Sequence, residues 1–225
     1  FSTGDEVVKA GQPIKLGQVY DSNHFTIQSM LKRINVDFID LGIIPDEKKL
    51  IEKTLKRAEK LSDAIITTGG VSVGKADYMK EILKKIGKVL FWKLSIKPGR
   101  PMAYGAFKNT PYFGLPGNPV AAMITFYQLV QPALKHLMGQ IDYKLPPLLK
   151  AKCVSPITKK PGRMEFQRGF YTIKNGELFV KPNPHQGSAI LSSMSKANCL
   201  IVLDIEQKSI KVNEYVNIQF MDGLV

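Results

Sequence analysis

Strand-like and helix-like stretches alternate through the first 140 residues, and that alternation constrains the fold more than any other feature. After Asp21-Ser22-Asn23, three cap-forming residues in a row, Ile27, Met30, Leu31 and Ile34 mark one helical face, and Val36 to Leu41 reads as a strand. Pro45-Asp46 breaks the chain before a second helix, Glu47 to Leu61, with Leu50, Ile51, Leu55, Ala58 and Leu61 as its buried stripe. A strand at 64–68 then meets a glycine-rich turn. Met79, Ile82, Leu83 and Ile86 follow at helical spacing, Gly87 stops that helix, and Val89 to Leu94 starts another strand. Met102 to Phe107 and Tyr112 to Leu115 flank Asn109 as neighbouring strands, and Val120 to Met138, apolar on most faces, forms a long buried helix ended by Gly139. Such a pattern predicts an α/β fold, a three-layer, mostly parallel sheet with helices on both faces.

Past residue 141 the character changes. Residues 142–147 hold Pro146-Pro147 and little periodicity, as a linker does. Asn175-Gly176 is a hairpin turn between Gly169 to Ile173 and Leu178 to Lys181, while Val216, Ile218 and Phe220 alternate with Tyr215, Asn217 and Gln219. Short strands of this kind predict a small all-β barrel-like domain. The expected division is therefore 1–141 and 142–225.

Several function classes are excluded. No apolar run approaches the ~20 residues that span a bilayer, so no membrane partner is expected. Cys153 and Cys199 stand far apart and His24, His136 and His185 are scattered, which removes zinc-type spacing and reads as reduced thiols of a cytoplasmic protein. The net charge of +13 is spread along the chain: residues 142–225 carry 12 Lys plus Arg against 7 Asp plus Glu, much like the remainder. Without a basic tail or aromatics interleaved with basic residues, nucleic acid is not an expected partner, and small anionic substrates are. Because the sequence opens on Phe1 rather than Met, apparently late in a strand, further upstream sequence is expected.

The turn Gly69-Gly70-Val71-Ser72-Val73-Gly74, with Asp77 at the start of the next helix, has the form of an anion-binding loop. Glycines let backbone amides approach a ligand, the helix amino end adds partial positive charge, and Asp77 can hold a divalent metal or cap the helix. Alone, such a turn is as readily plain loop geometry. On the strand Leu90 to Lys97, a period of two places Lys93 and Lys97 on one face, their Cα atoms about 13 Å apart, suited to gripping a polyanion if that face is not merely solvated. Lys97-Pro98-Gly99-Arg100-Pro101 follows as a rigid basic turn, and Gly114-Leu115-Pro116-Gly117-Asn118-Pro119 is either a backbone nest or a tight helix entry. Asp5, Glu6, Asp46 and Asp77 all fall at predicted element ends, where an open α/β sheet has its binding crevice; each alone reads as a cap or surface charge, and together with the lysines they suit a magnesium-assisted phosphate site.

Read in order, Ser2-Thr3-Gly4-Asp5-Glu6, Tyr20-Asp21-Ser22-Asn23, the 69–74 turn with Asp77-Tyr78, the 97–101 turn and the 114–119 turn resemble the molybdopterin molybdenumtransferase (MoeA and gephyrin E-domain) family. Gly162-Arg163-Met164-Glu165-Phe166-Gln167-Arg168-Gly169, His185-Gln186-Gly187-Ser188 and Ser195-Lys196-Ala197-Asn198-Cys199 are similar to its carboxyl-terminal β domain. The resemblance implies a MogA-like first domain and an enzyme of molybdenum cofactor synthesis. Its substrates are adenylylated molybdopterin and molybdate, its cofactor is a divalent metal, usually Mg2+, and it cleaves the pyrophosphate and releases AMP.

Carried over residue by residue, the resemblance puts the catalytic positions at Glu6, Asp46, Asp77, Lys93 and Lys97, with Asp77 and Glu6 as metal ligands. Gly69, Gly70, Ser72, Gly74, Pro98, Gly99, Gly117 and Asn118 line the substrate site, and Arg168 and Ser188 complete an anion pocket from the second domain. It also implies a homodimer, transient contact with a molybdopterin adenylyltransferase, and two further amino-terminal domains absent here, without which little turnover is expected. Two rivals are a molybdopterin adenylyltransferase, whose architecture ordinarily stops where residue 141 does, and a non-catalytic anchoring module of the gephyrin kind.

Overall fold

The computed structural model describes residues 1–70 and 77–221, with Asp77 described by its backbone alone. In chain order the elements are β1 (Ser2–Thr3), β2 (Val7–Val8), β3 (Val19–Tyr20), α1 (Ser22–Arg33), β4 (Ile43–Ile44), α2 (Lys48–Leu61), β5 (Ile65–Thr68) and α3 (Asp77–Ile86). Next come β6 (Lys88–Lys93), β7 (Ile96–Lys97), β8 (Pro101–Phe107), β9 (Thr110–Leu115), α4 (Pro119–Thr125), a π-helical turn Phe126–Val130 and α5 (Gln131–Leu137). Last are β10 (Leu149–Cys153), β11 (Met164–Lys174), β12 (Glu177–Pro182), α6 (Ser192–Ser195), β13 (Cys199–Leu203) and β14 (Tyr215–Phe220). Two compact units result: Phe1–Leu94 with Pro101–Tyr143, and Ser95–Arg100 with the chain from Lys144 onward. Residues 95–100, expected in the first domain, thus belong to the second unit.

The first unit is built on a six-stranded sheet of order β4-β1-β5-β9-β8-β6. Strands β4, β1, β5 and β9 pair in parallel, and β8 is antiparallel to both β9 and β6, so five of the six run the same way. This is the mostly parallel sheet expected. Helices α2 and α3 pack together, α2 against β5 and α3 against β6 and β8, and α1 packs with α4, which lies on β9. Ile51, Leu55 and Ala58 of α2 meet Met79, Ile82 and Leu83 of α3 over Ile65, Ala103 and Tyr112 of the sheet. Leu50 and Leu61, expected in the α2 stripe, are exposed instead, because the buried arc needs only the i, i+4, i+7 row of that helix.

Two local expectations are modified for identifiable reasons. Residues 36–41 form no strand; the strand is Ile43–Ile44. Asn35 at φ +56° and Gly42 at φ +78° interrupt the extended run, and the Asp40 carboxylate accepts the Gly42 amide at 2.7 Å in a local turn. The long helix 120–138 is present as an unbroken run from Pro119 to Leu137, but it is not a regular α-helix throughout, since Phe126–Val130 is a π-helical turn. Pro132 has no N–H to give the carbonyl four residues back, and the ladder slips to i→i−5, with the Gln131 amide donating to the Phe126 carbonyl.

In the second unit β12-β10-β14-β13-β11 close on themselves through the β11–β12 hairpin, forming a five-stranded barrel with β7 added outside β11. Asn175 and Gly176 take positive φ (51° and 78°), the backbone of the two-residue hairpin that their sequence predicts. Ala151, Cys153, Val180, Cys199, Ile201, Val216 and Ile218 fill the interior. Burial pushes the free thiols of Cys153 and Cys199 up to about 11 and about 12. Among the described residues no helix is long and apolar enough to cross a membrane.

Candidate active site at the carboxyl edge of the sheet

Strand order fixes where a site can form. The chain goes from β1 to β4 on one side, then over β1 to β5 on the other, so the order reverses between β1 and β5, and the crevice past their carboxyl ends is the ligand position of an open α/β sheet. The loops after β1, β4, β5 and β9 all begin there. The Asp46 amide donates to Asp5 Oδ1 at 3.1 Å, tying the β4 loop to the β1 loop. The Gly69 amide donates to the Leu115 carbonyl at 3.2 Å, and a Cβ on Gly117 would lie 3.8 Å from Gly69 Cα, which brings the β5 and β9 loops together. Asn23, in the first turn of α1, donates its Nδ2 to the Gly117 carbonyl at 2.8 Å and closes the group.

Gly69 and Gly70 are required by this convergence. Both have positive φ, 83° and 65°, and a Cβ would stand 2.2 Å from the Thr3 carbonyl oxygen at the first and 2.6 Å from Thr3 Oγ1 at the second. Gly4, at φ +139°, leaves room for the Glu6 carboxylate, which curls back over it. Thr3 is 2% exposed, and among the described residues its Oγ1 has no hydrogen-bond partner; Asn23 Oδ1 is the other buried side-chain oxygen in that condition. Buried polar atoms nearly always find partners, so two of them in the rim of one crevice point to a polar guest.

The structure brings Glu6, Asp46, Gly69, Gly70, Gly117 and Asn118 to one sheet edge. Lys93 is the exposed last residue of β6, which runs in the same direction as β5, so it lies at that edge too, three strands and roughly 14 Å along from β5. Lys93 and Lys97 do not share the face of one strand as expected. Register shifts irregularly along β6, the chain then changes sheets, and Lys97 sits on β7 in the second unit beside Pro98 and the buried Gly99. Ser72 and Gly74 lie outside the described residues, as does the Asp77 side chain. A 560 Å³ cavity lies over one face of the sheet, lined by Phe1, Phe38, Ala64, Ile65, Leu134 and Met138, and it reaches Asn23 and Thr68.

Arg168, expected as a cation of the anion pocket, is 1% exposed. Its Nε donates to Ser193 Oγ at 3.1 Å, and one terminal nitrogen donates to the His185 and Gly187 carbonyls at 3.1 Å each, so the guanidinium grips the loop that carries Ser188. Burial alone lowers its pKa to about 10, still leaving it charged at neutral pH. Thr3 and Asn23 are not among the expected site residues; the motifs contain them, but only the contacts distinguish them from their neighbours.

Among the described residues no group of three His, Cys, Asp or Glu side chains is arranged to hold a metal. Magnesium does not require one, since one or two carboxylates with waters and substrate phosphates complete its shell, and the Glu6 carboxylate over Gly4 is an oxygen donor of the kind that ion takes.

Residues 1–136 match the family described as probable molybdopterin binding domain, and residues 150–221 match the MoeA C-terminal region (domain IV). The chain is 46% identical over 226 residues to a molybdopterin molybdenumtransferase of Haemophilus influenzae, covering all of this chain and 56% of that protein. It is 32% identical over 210 residues to one from Nostoc, covering 91% of the chain and 48% of the relative. A molybdopterin biosynthesis moeA protein from Pyrococcus horikoshii superposes with a TM-score of 0.75 at 26% identity, over 97% of this chain and 52% of that one. The chain spans about half the length of the curated relatives it matches. With the probable molybdopterin binding domain and the MoeA C-terminal region matched in order along it, the chain belongs to the molybdopterin molybdenumtransferase family, as those two domains.

Proposed function

We propose that this chain supplies the pyrophosphate-cleaving site of a molybdenum insertase, which takes adenylylated molybdopterin and molybdate and releases AMP and molybdenum cofactor. The observation that carries the reading is the crevice between β1 and β5, where glycine backbone, the Asp46–Asp5 link and Thr3 Oγ1, without a hydrogen-bond partner among the described residues, meet. A doubly anionic guest suits amides that approach closely at Gly69 and Gly70, with the exposed Lys93 as a counter-charge, while Lys97, in the second unit, is read as an oxyanion-binding group in its own right. Cleavage adds the elements of water across the P–O–P linkage, giving AMP and a phosphate-bearing molybdopterin. No protein nucleophile is needed: Asp46 and Glu6 orient the attacking oxygen and accept its proton, while Lys93 holds phosphoryl oxygens. Glu6 and Asp77 would hold a magnesium ion, which would supply positive charge against the developing anion.

In this reading Arg168 is a positioning residue that fixes Ser188, the working protein is a cytoplasmic homodimer, and its substrate comes by transient contact with a molybdopterin adenylyltransferase. The test incubates the intact gene product with adenylylated molybdopterin, molybdate and Mg2+. AMP release supports the proposal, AMP addition from ATP favours an adenylyltransferase, and the absence of both favours an anchoring module.

A further inference from the structure

Glu165 is a buried carboxylate to which no role attaches so far. Strand β7 lies parallel to β11 with Lys97 directly opposite Glu165, so the two side chains stand next to each other on one face. Lys97 Nζ is 3.3 Å from Glu165 Oε1, and the second oxygen, Oε2, accepts Gln167 Nε2 at 2.9 Å. Gln167 is itself held, its Nε2 donating also to the Thr158 carbonyl at 3.2 Å. The side chains differ sharply in exposure: 5% for Glu165 and 49% for Lys97.

We propose that Glu165 is the positioning residue of Lys97, a buried carboxylate braced by Gln167 that holds the lysine tip in place for an anionic substrate. The inference rests on the reading of Lys97 as an oxyanion-holding group. A half-exposed lysine has four rotatable bonds and loses much rotamer freedom when it must meet a ligand at one point. Anchoring one of its three donors to a fixed oxygen removes that freedom in advance and leaves two donors for the guest. A purely structural role explains the arrangement less well. Strand β7 is already joined to β11 through the backbone, including the Met164 amide to the Ser95 carbonyl at 2.9 Å, and a buried carboxylate paired to a half-exposed lysine stabilises no more than apolar side chains of the same volume.

A double-mutant cycle in the intact gene product tests this, reading kcat and KM for AMP release together with the urea unfolding midpoint. Glu165→Gln should lower kcat/KM about tenfold, and in the Lys97→Ala background the same change should cost nothing further, because coupled residues are non-additive. Losses that multiply in the double variant would overturn the inference, as would wild-type kcat/KM for Glu165→Gln. If Lys97→Ala alone leaves AMP release unchanged, it is the underlying reading of Lys97 that fails. Should Glu165→Gln not fold, Gln167→Leu, which frees Oε2 while leaving both charged partners, carries the same cycle with an expected loss of about threefold; no loss, or a loss equal in both backgrounds, overturns the proposal.

Discussion

Replacing Gly69 with alanine tests whether the β5 loop really presses on the end of β1. The substitution has two separable costs. A residue with a Cβ at φ +83° sits in the left-handed region, a penalty of about 1–2 kcal/mol, reduced by about 0.4–1 kcal/mol because alanine also restricts the unfolded chain. The new Cβ then stands 2.2 Å from the Thr3 carbonyl oxygen, and backbone must move; overpacking of this kind costs about 1–3 kcal/mol more. Gly42→Ala isolates the first cost, since Gly42 has φ +78° and nothing within 4 Å of its would-be Cβ. Urea unfolding of the two variants and the parent, followed by tryptophan fluorescence and circular dichroism, should therefore give a small loss for Gly42→Ala and a loss about 1–3 kcal/mol larger for Gly69→Ala. Equal losses would refute the contact, and with it the claim that these loops are pressed into one crevice.

Other predictions follow from burial and charge. Cys153 and Cys199 titrate near 9.0 when unfolded but at about 11 and about 12 in the barrel, so the unfolded state releases protons first and stability should fall as pH rises above 9, by about 1.4 kcal/mol per pH unit for each thiol up to its folded value. Equilibrium unfolding at pH 8, 9 and 10 measures this, and Cys199→Ala should flatten the decline. Arg168→Lys cannot donate at once from two nitrogens, to Ser193 Oγ and to the His185 and Gly187 carbonyls, so amide exchange at 185–188 should accelerate and the barrel should lose about 2–4 kcal/mol; unchanged exchange there would contradict a positioning role. Asp46→Asn in the intact gene product should lower AMP release by about 10²-fold or more without moving the unfolding midpoint.

The sequence was most legible where a local pattern and the tertiary environment agree. Asp21 accepts the His24 amide at 3.0 Å as the cap of α1, α2 starts one residue after Glu47, and Asn175-Gly176 makes the turn its dipeptide predicts. Legibility ended where partners far along the chain decide. Residues 36–41 have strand-like alternation, but a positive-φ Gly42 and the Asp40 turn override it. A period of two cannot reveal that the chain changes sheets between Lys93 and Ile96, so the two lysines were assigned a common face they do not have. Arg168 illustrates the same limit for the site: its charge is visible in the sequence, its burial is not, and burial turns a ligand cation into a clamp on a loop. The glycine turn was readable as a close approach of backbone, whereas the approaching partner, Thr3, was set only by the neighbouring strand.

The most direct test of the account is a titration of the isotopically labelled chain with adenylylated molybdopterin, followed by amide chemical shifts. The account predicts that Gly4, Gly69, Gly70 and Gly117 move together along one binding curve, even at weak affinity. Shifts confined to residues away from the carboxyl ends of β1 and β5, or no shift at these glycines under saturating ligand, would contradict it.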